Sequence, residues 1–344
     1  MNHYNIPIFV PHKGCPFDCV FCNQKRITGS ILEADENTIK NTIDEYLKTL
    51  PKADRYIEVA FFGGSFTGID FSLQGQFLNA AYQYIQSGKI DGIRLSTRPD
   101  YIDKKILDQL KKYGVTTIEL GVQSMVQSVL DLSNRGHSED DVKKAVELIK
   151  KYNFKLGLQM MTGLPGDTQE YSIKTANKII ALKPDFVRIY PTLVVKDTQL
   201  EYMYNNGEYN PMSLVDTVNL CKKLLMMFTD AKIDVIRIAL QTTDEISPGG
   251  SLVAGPYDAQ FRELVESEIY YDKFFDAIKR CGKSKITIIV NTFELSKAIG
   301  KKRSNIKKLE KEFNAKIRIK ADNNVTAGEF YINTDDEEEE INCI

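Results

Sequence analysis

From residue 1 to about 240, short apolar, β-branched runs alternate with longer stretches of helical period, the pattern of repeated βα units. Candidate strands lie at 5–10, 57–62, 93–97, 116–121, 155–161, 186–190 and 233–238, with candidate helices at 38–49, 71–87, 103–113, 139–152, 168–182 and 212–230 between them. Runs such as Val59-Ala60-Phe61-Phe62 are continuously apolar, as parallel strands must be when helices cover the sheet. Six or seven such units without an interrupting hairpin predict an α/β fold, a (βα)6-type partial TIM barrel whose site lies in the loops after the strands.

The alternation stops at a polar, glycine-rich stretch, 242–250, and the chain divides into a barrel (1–240), a linker and helical extension (241–283), a small α+β domain (284–334) and an acidic tail (335–344) read as solvated and disordered. A mean hydropathy of -0.29 and the lack of any apolar run near ~20 residues exclude a membrane-spanning chain. The N-terminal residues lack the basic and apolar regions of a secretory signal, so a cytoplasmic location is expected.

Three of the six cysteines fall within Cys15-Pro16-Phe17-Asp18-Cys19-Val20-Phe21-Cys22. This CxxxCxxC follows the first candidate strand. Thiolates are soft ligands for zinc or iron–sulfur clusters, and three on one loop can hold three corners of a [4Fe-4S] cube while leaving the fourth iron open. A zinc knot completed by His12 is the simpler alternative. Cys221, Cys281 and Cys343 are isolated and read as ordinary core or surface thiols.

The cysteine spacing, with Phe21 just before the third cysteine, resembles the signature of the radical S-adenosylmethionine (SAM) superfamily. That resemblance implies a [4Fe-4S] cluster on Cys15, Cys19 and Cys22 and SAM bound at its open iron, the cofactors carrying radical chemistry that no side chain performs. It also assigns SAM contacts to the strand ends: Phe21 beside the cluster, Gly63, Gly64 and Ser65 after strand two, Ser96 and Arg98 after strand three, Gln123 and Ser124 after strand four, and Met161 and Gly163 after strand five. Ser65 stands where the superfamily more often has Glu, and Arg98 is expected to pair with a carboxylate or phosphate.

Longer phrases narrow the resemblance. Phe62-Gly63-Gly64-Ser65-Phe66-Thr67, Glu119-Leu120-Gly121-Val122-Gln123-Ser124, Asn134-Arg135-Gly136-His137, Met161-Thr162-Gly163-Leu164-Pro165-Gly166 and Arg188-Ile189-Tyr190-Pro191-Thr192-Leu193-Val194-Val195 look like the radical SAM part of the Elongator catalytic-subunit family. The likeness runs over about residues 4–270. It implies modification of the wobble uridine of tRNA and an electron donor such as ferredoxin or flavodoxin. The family's acetyltransferase domain has no counterpart in the remaining residues, which implies a separate protein as acyl donor.

Residues 286–320 read as strand, helix, the turn Gly300-Lys301-Lys302-Arg303, helix and strand, an order similar to a KH module, in which a GxxG turn clamps single-stranded nucleic acid. Arg303 stands in place of the second glycine. Whole-chain charge hides a local asymmetry, since residues 277–320 carry 14 Lys+Arg against 3 Asp+Glu, whereas residues 321–344 carry 8 acids and no base. Gly300, Lys301, Lys302, Arg303, Lys307 and Lys308 are therefore the expected contacts to tRNA or another structured RNA. Two rivals stand beside this reading. One is a tetrapyrrole enzyme like oxygen-independent coproporphyrinogen oxidase, whose relatives commonly carry a fourth cysteine where Gln24 lies. The other is a non-catalytic RNA-binding protein with structural zinc.

Overall fold

The computed structural model describes residues 2–10, 18–23, 35–241, 243–244, 246–334 and 337–343, the last stretch by its backbone. Cys15 and His12 lie outside these residues. Seven parallel strands form the main sheet: β1 (Asn2–Phe9), β2 (Arg55–Phe62), β3 (Gly92–Thr97), β4 (Val115–Gln123), β5 (Lys155–Thr162), β6 (Phe186–Pro191) and, after a two-residue β7 (Val194–Val195), β8 (Asp234–Ile238). Their order, β1-β2-β3-β4-β5-β6-β8, follows the chain, so each crossover packs its helix beside the preceding one. The result is an open half-barrel.

The crossovers contain α1 (Glu36–Thr49), α2 (Phe71–Gln86), α3 (Lys104–Lys112), α4 (Gln127–Leu132), α5 (Glu139–Lys151), α6 (Gln169–Leu182), α7 (Gln199–Asn205) and α8 (Leu214–Asp230). Their starts are encoded locally. Asp35, Asp70, Asp103, Ser138, Thr168, Thr198 and Ser213 each accept a backbone N–H of the first turn, satisfying donors that no preceding turn can reach. Ser138 and Asp141 form a reciprocal capping box. The short α4 and α7 and the ribbon of β7 with β9 (Leu252–Ala254) were not expected. Each is too short to show a period.

The concave face of the sheet is charged rather than apolar. Arg188 on β6 reaches across β5 to Glu119 on β4, and Arg94 on β3 joins Glu119 to Glu58 on β2. Gly157 lies opposite Glu119 in the ladder, and a Cβ there would come within 3.0 Å of the Glu119 side chain. The nearest atoms to such a Cβ belong to the Phe186 ring, at 2.3 Å, so the missing side chain on β5 is what gives the β6 ring its place beside Glu119.

A second unit comprises residues 218–223 and 258–344. Here α9 (Phe261–Cys281) is followed by β10 (Lys285–Asn291), α10 (Leu295–Ile299), α11 (Ser304–Phe313), β11 (Lys316–Asp322), β12 (Phe330–Thr334) and β13 (Glu337–Cys343), with sheet order β11-β10-β12-β13. Two expectations are corrected. Helix α9 is part of this domain and not a linker extension, because Tyr270, Phe274, Ala277 and Ile278 share one core with Ile286, Ile288, Val290 and Leu309. The acidic end is a strand, β13, paired antiparallel with β12; backbone pairing with an open sheet edge does not depend on side-chain polarity.

Candidate active site

The described part of the cysteine loop, residues 18–23, is stitched down on two sides. On one, Val20 N–H donates to Ser133 O (3.1 Å) and Asn134 Nδ2 to Asp18 O (2.9 Å). On the other, Leu200 N–H donates to Val20 O (2.7 Å) and Asn23 Nδ2 to Lys196 O (3.1 Å). Cys22 N–H closes a turn onto Cys19 O at 2.9 Å. Phe21 projects between two apolar groups, one of Val20, Val194, Leu200 and Tyr209, the other of Val126, Val129, Met161 and Leu164. The ring between the two cysteines thus wedges the loop against the ends of β5 and β7, where the following loops converge.

Cys19 is buried, and its sulfur receives Arg135 Nη1 at 3.4 Å. The other arm of the guanidinium, Nη2, donates to Gly121 O at 2.8 Å. Arg135 Nε is buried without a hydrogen-bond partner, and so is Gln123 Oε1 nearby. Gln123 occupies a left-handed conformation (φ 65°) where the β4–β5 register shifts, a conformation that costs a non-glycine residue roughly 1 kcal/mol or more. His137 Nε2 lies 3.2 Å from Val122 O. Burial, then the Arg135 and Arg98 charges, depress its pKa to about 3, so the imidazole is neutral.

The other strand ends divide. Gly63 (φ 105°) runs so close to β1 that a Cβ would lie 3.1 Å from Val10 O, a close backbone passage only glycine permits. Gly64 follows it, and Ser65 is buried, its carbonyl accepting Gly68 N–H at 3.0 Å. Met161 packs, with Phe21, against Val126, Val129 and Leu164. Gly163 (φ 74°) donates its N–H to Asp167 Oδ2 at 2.8 Å and accepts Tyr209 OH at 2.6 Å. Burial raises the pKa of Asp167.

Two of the expected ligands make bonds within the chain. Arg98 is buried and forked onto Asp100, with Nε at 2.9 Å and Nη2 at 3.0 Å. An arginine whose bidentate edge is taken up by a carboxylate two residues away ties the β3 end to its own turn. Ser124 is equally buried, its hydroxyl 3.3 Å from Thr175 Oγ1 and accepting Val126 N–H at 3.2 Å, so it anchors the start of α4. Ser96 Oγ accepts Gln159 Nε2 at 3.5 Å, linking it to the charged lumen.

The lumen network was not foreseen. Glu58 is buried, and although burial opposes its charge, bonds from His3, Arg94, Thr116 and Thr117 hold its pKa down at about 2. Glu119, fully buried, accepts Arg188 Nε (2.6 Å), Arg188 Nη2 (3.1 Å), Arg94 Nη2 (3.0 Å) and Gln159 Nε2 (3.1 Å). The sequence signal was a charge at mid-strand in each of β2, β3, β4 and β6, out of keeping with apolar parallel strands.

In the second unit, Gly300 (φ 75°) sits where a Cβ would come within 3.1 Å of the buried Asn305, whose amide donates to Ser267 O and Ala298 O. Lys302 and Arg303 are both left-handed, at φ 54° and 61°. Arg303 therefore keeps the backbone conformation that glycine would have given the turn. Lys301 and Lys308, expected to face RNA, are paired at 2.6 Å with Asp258, just before α9, and Glu268 on α9. Lys302, Arg303 and Lys307 have no acidic partner among the described residues.

This arrangement, a cysteine loop after the first strand of an all-parallel half-barrel, defines a class. Family models match for the radical SAM superfamily over residues 9–179, the radical SAM C-terminal domain over 184–271 and the KH domain over 285–341, and the chain belongs to the radical SAM superfamily. More narrowly, it is 32% identical over 197 residues to a tRNA uridine(34) acetyltransferase of Methanocaldococcus jannaschii, 49% of this chain and 36% of that one. It is also 32% identical over 203 residues to human Elongator complex protein 3, 53% of this chain and 37% of that one. The chain thus spans little more than a third of these relatives' length. Among solved structures, archaeal Elp3 of Methanocaldococcus infernus superposes with a TM-score of 0.59 at 24% identity, over 82% of this chain and 63% of that one, a likeness of fold.

The superfamily's cofactors are a [4Fe-4S] cluster and SAM. The described residues fit the first. A buried guanidinium with no carboxylate bonded to it among the described residues, one nitrogen orphaned and another on a cysteine sulfur, calls for an anion at that sulfur, as a ligating thiolate supplies. Among the described residues, no helix is long and apolar enough to cross a membrane.

Proposed function

We propose that this chain reductively cleaves SAM at a [4Fe-4S] cluster held by Cys15, Cys19 and Cys22 and directs the resulting radical at a tRNA wobble uridine. The observation that carries the reading is the Cys19–Cys22 turn docked at the C-terminal ends of the parallel strands, with a cation on its buried sulfur. When bound, the cluster and SAM supply a 5'-deoxyadenosyl radical. The chain's own residues do the rest. Phe21 fixes the loop and, with Met161 and Leu164, supplies apolar surface for excluding water. Gly63, Gly64 and Ser65 leave backbone for the SAM ammonium, Gly163 and Met161 bound the adenine side, and Gln123 Oε1 is the open acceptor for a ribose hydroxyl. The Glu58–Arg94–Glu119–Arg188 layer fills the lumen, so substrate enters from the strand ends.

RNA as substrate is supported by the KH family match and by the relatives' names. Lys302, Arg303 and Lys307 are the proposed backbone contacts, with Gly300 shaping the turn. A low-potential ferredoxin or flavodoxin as electron donor, a separate acyl-donor protein and a cytoplasmic location complete the reading. Anaerobically reconstituted protein given SAM, a strong reductant and tRNA should form 5'-deoxyadenosine, faster with tRNA than without. Absence of cleavage, or a rate indifferent to tRNA, refutes the reading; retention of a porphyrin instead of RNA would move it to tetrapyrrole chemistry.

A further inference from the structure

The side chain of Arg135 is out of place for a structural arginine. It is 7% exposed, comes from the turn after α4, and among the described residues has Gly121 O and Cys19 Sγ as its hydrogen-bond partners, with Nε unsatisfied. No acid pairs with it among the described residues. A buried charge without a counter-charge is costly. Its position is also enforced: a Cβ at Gly121 would lie 2.9 Å from Nη2, so glycine on β4 keeps the slot open through which the guanidinium reaches the sulfur. The chain thus holds a permanent cation against one of the three cysteine sulfurs, 116 residues away in sequence.

We propose that Arg135 is a positioning residue that sets the reduction potential of the cluster bound by Cys19. The inference rests on the cluster reading above. Reduction adds one electron and one negative charge to the cube, taken from a low-potential donor that is oxidised by one electron; no bond to the protein breaks. A hydrogen bond and a positive charge at a ligand sulfur stabilise the more negative state, and hydrogen bonds to cluster sulfurs are among the features that set such potentials. Arg135 therefore makes the cluster easier to reduce.

The test is an anaerobic redox titration followed by electron paramagnetic resonance, with titanium(III) citrate as reductant, on wild type, R135Q and R135K. At the wild-type midpoint, R135Q is expected to hold at least about tenfold less reduced cluster relative to oxidised, a shift of about 59 mV to more negative potential for one electron. R135K, keeping the charge, should recover at least half of it. A fully loaded R135Q with the wild-type midpoint overturns the proposal, as does R135K displaced as far as R135Q. If R135Q takes up no iron, resonance Raman of R135K decides: shifted iron–thiolate stretching bands support the Arg135–Cys19 bond, and unshifted ones overturn it. Wild-type protein without iron and sulfide would sink the cluster reading itself, a separate outcome.

Discussion

Replacing Glu119 with Gln removes the central charge of the lumen while changing side-chain volume little. Glu119 is fully buried and takes three bonds from Arg94 and Arg188 besides the one from Gln159. In E119Q the buried Arg94 and the mostly buried Arg188 lose their shared anion, and an amide N–H faces their donors. Charge-assisted bonds contribute roughly 1.5–3 kcal/mol each, but partial relaxation and water entry reduce the total, and breaking one partner of a buried ionic set costs about 3–5 kcal/mol. For a unit of roughly 250 residues, at about 2–4 °C per kcal/mol, the midpoint of its thermal transition falls by roughly 10 °C. Anaerobic circular dichroism with urea titration reads both quantities. The companion R94M/E119L/R188M, which removes the Arg94, Glu119 and Arg188 charges together and leaves Glu58 its bonds to His3, Thr116 and Thr117, should lie closer to wild type than E119Q. A loss below about 1 kcal/mol in E119Q, or a triple variant as unstable as the single, refutes the account of the lumen as an ionic layer.

Acid should destabilise the first unit through two groups whose folded pKa values are both depressed. His137, at about 3 against its ordinary 6.5, and Glu58, at about 2 against 4.5, bind protons less readily folded than unfolded, so stability is complete above about pH 6.5 and declines down to about pH 2; H137F should flatten the upper half of that window in a pH series of urea midpoints. R303G should stabilise the second unit by roughly 1 kcal/mol by relieving a left-handed non-glycine residue, while weakening RNA binding and lowering the salt slope by about 1, read by filter binding at several ionic strengths. K302A should likewise weaken binding, whereas K301A, whose ammonium is already neutralised by Asp258, should change it by less than about twofold. C19A should yield colourless protein lacking iron after reconstitution.

The barrel was legible because its signal is periodic. All seven expected strands lie wholly or nearly within observed ones, with ends off by at most three residues, and the six expected helices all formed. What escaped was set by tertiary contact. Arg135 was visible only as part of a phrase, since nothing in Asn134-Arg135-Gly136-His137 says that it reaches back to Cys19. That Arg98 forks onto Asp100 two residues on depends on the turn geometry between them, which the residue order alone does not show. Lys301 and Lys308 looked free because their partners, Asp258 and Glu268, are 43 and 40 residues away. The charge count of 277–320 was correct as a sum, yet α9 spends part of it within the domain.

Strand β13 gives the C-terminal sheet two edges of opposite sign in sequence. At one lies β11, with exposed Lys316, Arg318 and Lys320; at the other lies β13, which opens on four successive glutamates. Trimming the chain at residue 335 would bare the backbone groups of β12, a template for further strands. The acidic end is then a selvedge: it finishes the weave of the sheet, and a chain that loses it gains an unfinished border along which copies can join.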